Sequence, residues 1–180
     1  METTIQPKLD LRLILLFVPI AFGSYLFHEL GHWLVGEILG NDMVFSLNYV
    51  WPSSGSYMDP RHNLFVSIGG PAFTILLSLL FLFPIEKFKT GYAYPVVFFQ
   101  FFMRFFSILF GGFDKQDEAR ISAIAGLGTY TVAIAVVGML LLIVWRASHL
   151  LGYSLKDNSY FLTISTVCQL LVIGTYEFVL

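Results

Sequence analysis

Three side chains in one helical register are able to do chemistry: His28, Glu29 and His32, within the run His28-Glu29-Leu30-Gly31-His32. Imidazoles four positions apart project from one helical face about one turn apart. That spacing lets both hold a single metal ion. H-E-x-x-H on a helix is a zinc-hydrolase pattern in which the intervening Glu serves as general base. Here it lies late in a long apolar run, where an ionisable group is costly and marks a functional site by default. A packed polar contact between helices is the alternative. It accounts for one such residue more easily than for three in register.

A catalytic zinc site takes three protein ligands and keeps one position open. The candidates for the third ligand are Asp42, Asp59, His62, Asp114, Asp117 and His149. The link between residues 111 and 121 is the best place to look, because it gathers Asp114, Asp117 and Glu118. Helix capping and the helix dipole account for Asp114 and Glu118. Asp117 is therefore the first choice of ligand and Asp114 the second. His62, beside Pro60 and Arg61, falls in a polar loop, and His149, after Trp145 and Arg146, reads as interfacial. Arg104 lies deep in an apolar segment and calls for a partner. A structural ion pair or snorkelling is its expected role, with Gln100 one turn away in the same network. Glu37 and Glu177 read as interfacial. The sequence names no substrate-binding residue.

These residues must be positioned by elements that suit lipid. The 180-residue chain is 57% hydrophobic and 17% aromatic, with 19 Phe and only 12% charged residues. Its mean hydropathy is +0.76. A soluble domain of this size has no use for so much apolar surface, and the net charge of −2 offers nothing to nucleic acid. A lone Cys168 in a late apolar run excludes an internal disulfide and a Cys-based zinc site, and reads as small apolar filler. About twenty apolar residues cross a bilayer core. Five segments qualify, at 11–39, 64–85, 93–110, 121–145 and 160–180. The first is too long for a signal-peptide core and contains the candidate ligands, so it is expected to be retained. Pro19 is expected to bend it and Gly40-Asn41 to end it. The expected fold is an all-α membrane bundle of about five transmembrane helices, one domain over 1–180. A short strand-like loop follows the first helix: Met43 to Val50 alternates, Trp51-Pro52-Ser53-Ser54-Gly55 reads as a turn, and Ser56 to Met58 as a return.

Together these motifs resemble the site-2 protease family of intramembrane zinc metalloproteases. His28-Glu29-Leu30-Gly31-His32 matches the family's H-E-x-G-H. Asp117-Glu118-Ala119-Arg120 is similar to its D-G-x-R, with Glu118 in place of Gly. Gly70-Pro71-Ala72-Phe73-Thr74 resembles its Gly-Pro-x-x-Asn, with Thr74 in place of Asn. The resemblance covers roughly Leu11 to Ile121. It implies zinc held by His28, His32 and the Asp of the third motif, Glu29 as the catalytic base, and a membrane-associated strand segment where 43–58 lies. It also implies a site near the cytoplasmic face. The positive-inside rule instead puts Lys8, Arg12, Lys87, Lys89, Arg146 and Lys156 on the cytoplasmic side, and the site on the other.

The expected function is hydrolysis of peptide bonds in membrane-embedded or membrane-proximal protein substrates, with Zn²⁺ as cofactor and the lipid bilayer as surroundings. The expected location is multi-pass, in a bacterial plasma membrane. The alternatives are a catalytically inactive relative that binds or regulates, and a metal transporter. A transporter has no need of Glu29 between the histidines, and no inverted repeat is present.

Overall fold

The computed structural model describes residues 11–178; Lys8 and the expected end of the last span at Leu180 lie outside them. The apolar segments fold as helices, because a backbone in lipid must satisfy its own hydrogen bonds. In chain order the elements are α1 (Leu11–Ile38), β1 (Met43–Phe45), β2 (Val50–Pro52), α2 (His62–Phe88), α3 (Tyr94–Phe110), α4 (Asp117–Ile124), α5 (Thr131–Leu151) and α6 (Leu155–Phe178). Short 3-10 turns precede α3 and α4. The five helices other than α4 are long and apolar enough to cross a membrane. The chain is a multi-pass membrane protein. Leu15, Leu80, Leu142 and Leu170 are exposed on the bundle surface, as lipid requires.

The fourth span runs on to Leu151, past its expected end at 145, and the second extends from His62 to Phe88; two helix starts differ for local reasons. The apolar run from Ile121 is not one helix. α4 stops at Gly126, whose φ of +67° suits a residue without Cβ. The Gly126 and Leu127 N–H groups then bond back to the Ala123 and Ser122 carbonyls at 3.3 and 2.9 Å, closing a Schellman end. The fourth span begins afresh at Thr131. The last helix starts at Leu155, earlier than its apolar character shows. Ser154 caps it: the Asp157 N–H donates to Ser154 Oγ at 3.3 Å, and the Ser154 N–H to Asp157 Oδ2 at 2.8 Å.

The loop after α1 is an antiparallel hairpin, with Met43 opposite Pro52, Val44 opposite Trp51 and Phe45 opposite Val50. Its turn lies at Ser46–Tyr49, closed by Ser46 N–H to the Tyr49 carbonyl at 3.0 Å. The Pro52–Gly55 turn follows the second strand instead of joining the two, and Ser56 to Met58 forms no strand. Pro52 and Gly55 carry the usual turn chemistry, which is why the sequence points to the wrong bend.

The apolar core occupies the end of the bundle where α3 begins. Tyr94 packs its ring against Phe161 and Phe98 at 4.8 and 5.9 Å, and Phe17 lies 5.9 Å from Phe161. The polar buried residues of α1 lie further along that helix, toward the end that carries the hairpin.

Candidate metal centre

α1 and α2 touch backbone to backbone beside the histidines. A Cβ on Gly31 would collide with the Gly69 carbonyl, and a Cβ on Gly69 with the Gly31 carbonyl. Small residues at a membrane helix seam permit this approach. It brings α2 polar groups within reach of both imidazoles. Thr74 Oγ1 donates to the Gly70 carbonyl at 3.1 Å, so its oxygen is free to accept from His28 Nδ1 at 2.8 Å. His32 Nδ1 lies 2.6 Å from the Val66 carbonyl, which can only accept. The Gly70 N–H also lies 3.3 Å from His32 Nδ1. The shorter contact governs, and Nδ1 carries the proton. Each imidazole is thereby fixed with its Nε2 lone pair facing inward, the usual arrangement behind metal-ligating histidines.

Asp117, 89 residues along the chain from His28, arrives at the same point on the first turn of α4. Its Oδ2 lies 3.1 Å from His28 Nε2 and 3.3 Å from His32 Nε2. The two Nε2 atoms are themselves 3.3 Å apart. The Arg104 and Arg120 guanidinium groups, 3.5 and 3.6 Å from its two oxygens, favour the ionised carboxylate of Asp117. Three electron-pair donors therefore converge on one point. Ligand bonds of about 2.0–2.1 Å in a tetrahedron set ligand atoms about 3.3–3.4 Å apart. The observed triangle fits that measure, and the donor set of two imidazoles and one carboxylate suits zinc. Gly70 leaves the space open, since a Cβ there would stand 2.6 Å from His28 Nε2.

Glu29 completes a buried group with His28 and His32, their ligand atoms all within 4.8 Å of one another. Its carboxylate makes no hydrogen bond with a described residue. It borders a cavity of about 450 Å³ that also meets His28, His32, Arg104 and Asp117 on one side and Tyr49 and Val50 of the hairpin on the other. Residues 46 and 49 form one hydrogen-bonded pair of the ladder, and Ser53 and Asp42 another. By the alternation of an antiparallel ladder, Val50 turns its own N–H and C=O outward.

The remaining candidates lie elsewhere. Asp114 is exposed in the 3-10 turn and does not line the cavity. Asp42 accepts from Ser53 Oγ at 2.6 Å, Asp59 is bound to Arg61, His62 meets Asn41, and His149 stacks on Trp145. Glu37 accepts the Met43 N–H at 2.8 Å and so ties the hairpin to α1. Glu177 lines the cavity. Gln100 donates to Ser24 Oγ at 2.6 Å rather than joining Arg104. Glu118 is the correction of consequence. It is no solvated dipole residue but is fully buried, bound through both carboxylate oxygens to Arg104. The signal for it was present, since a deep Arg104 needed an acid and the nearest downstream acids were Asp114, Asp117 and Glu118.

No protein-family model, curated protein or solved structure matches this chain.

Proposed function

We propose that this chain is an intramembrane zinc metallopeptidase that cuts membrane-embedded or membrane-proximal peptides. One observation carries the reading: His28 Nε2, His32 Nε2 and Asp117 Oδ2 converge within 3.1–3.3 Å, next to Glu29, which has no hydrogen-bond partner among the described residues and lines the cavity. His28, His32 and Asp117 would hold the ion. Bound zinc lowers the pKa of a water and polarises a carbonyl oxygen. Glu29 takes the proton from the attacking water as its oxygen bonds to the scissile carbon, then gives it to the leaving amine as the C–N bond breaks. Thr74 and the Val66 carbonyl keep the imidazoles in the tautomer that ligation requires.

A helical substrate hides its carbonyls in internal hydrogen bonds. Val50 supplies a way to hold an unwound segment. Val50 lines the cavity and turns its N–H and C=O away from β1, so an extended peptide could add to β2 there.

The reading is tested with purified protein and a transmembrane model peptide. Glu29→Gln is expected to retain the wild-type zinc content while cleavage falls about 10²–10⁴-fold. Equal cleavage by both proteins refutes Glu29 as base. Zinc binding with no cleavage of a peptide panel favours the binding module, and zinc flux into liposomes that survives Glu29→Gln favours the transporter.

A further inference from the structure

Arg104 is 5% exposed and Glu118 fully buried. Arg104 Nε donates to Glu118 Oε1 at 3.0 Å, and Nη2 donates to Glu118 Oε2. The same guanidinium also reaches the centre. Its Nη2 lies 3.5 Å from Asp117 Oδ2, and its Nη1 3.4 Å from His28 Nε2. One cation on α3 thus grips two consecutive carboxylates of α4.

α4 also packs against α2 and α5. It is eight residues long, buries only Glu118, Ile121 and Ser122, and is flanked by Gly112 and Gly126 at positive φ. Its other polar tie is Arg120, whose Nη1 meets Ser67 Oγ at 3.3 Å and Asp117 Oδ1 at 3.6 Å. A planar fork holding both oxygens of Glu118 fixes the helix in rotation as well as position. Rotation decides where Asp117 points. Charge adds a second requirement. A bare guanidinium 3.4 Å from a ligand nitrogen would repel a dication, and Glu118 cancels it.

We propose that Arg104 is the positioning residue for Asp117, with Glu118 as its counter-charge: the pair turns the Asp117 carboxylate onto the imidazoles and lets a cation bind there. This rests on the metal reading above.

The test uses the full chain purified in detergent. Zinc affinity is measured by competition with a chromophoric chelator, and the visible spectrum of the Co²⁺-loaded protein reports the ligand set. Arg104→Lys keeps the charge without the fork, and Glu118→Asp keeps it on a shorter arm. Arg104→Met/Glu118→Leu removes both buried charges together, a change that membrane and core sites tolerate. Asp117→Asn supplies the reference spectrum. Each folded variant is expected to lose about 10–100-fold in zinc affinity, with its Co²⁺ spectrum moved toward that of Asp117→Asn. Should a charge-preserving variant fail to fold, the double variant decides. Folded variants with wild-type affinity and an unchanged spectrum would reduce the pair to scaffolding and overturn the proposal. A wild-type protein that takes up no metal would instead refute the metal reading itself.

Discussion

Two regions build the same centre by different physics. The α1–α2 seam supplies both imidazoles through steric fit: glycine backbones in contact at Gly31 and Gly69, with Thr74 and Val66 orienting the rings. The α4 arm supplies Asp117 through charge, its short helix anchored by Arg104 and Glu118. The seam is encoded within a few residues of its function, whereas the arm depends on a partner in another helix. Local steric rules therefore govern two donor atoms, and long-range electrostatics the third.

The seam is broken most completely from the inside. Gly70→Val places carbon where both Nε2 atoms meet, so the purified variant is expected to retain no zinc by atomic absorption while keeping its helicity. Zinc at the wild-type level would mean that the imidazoles are not the ligands. Gly31→Ala attacks the seam itself. Its new methyl meets the Gly69 carbonyl, and a loss of about 1–3 kcal/mol or more is expected in thermal unfolding. An unchanged melting temperature would show that the helices do not approach so closely.

Thr74→Val removes the oxygen that accepts from His28 Nδ1 while keeping the shape. Zinc affinity is expected to fall about 10–100-fold, and Thr74→Ser to restore it. Failure of the serine to restore binding would place the effect in packing. The arm has the smallest handle: Gly126→Ala strains the left-handed residue that ends α4 by about 1 kcal/mol. It is expected to weaken zinc binding slightly without disturbing the histidine tautomers seen by NMR.

What the sequence made legible follows the same division. Helical spacing is a local property, so His28, Glu29 and His32 stood out as a register, and five apolar runs as five spans. Asp117 was reachable only by choosing among acids and by the D-G-x-R-like pattern, because nothing local to it points at His28. Glu118 was misread since burial is a tertiary fact: beside Asp117 at a helix start, any acid looks like a dipole residue. The break at Gly126 was hidden because Ile121 to Val144 averages as apolar, and hydropathy does not register a change of φ. The hairpin bend was misplaced because Pro52 and Gly55 signal a turn more strongly than Asn48, although the chain also uses theirs.

The central claim is that one cation is held jointly by the seam and the arm. Zinc-edge X-ray absorption on the zinc-loaded wild-type protein tests it most directly. One zinc per chain is expected, with outer-shell scattering from two imidazoles and with nitrogen and oxygen ligands at about 2.0–2.1 Å. A chain that takes up no zinc, or a bound ion with no imidazole in its shell, would contradict it.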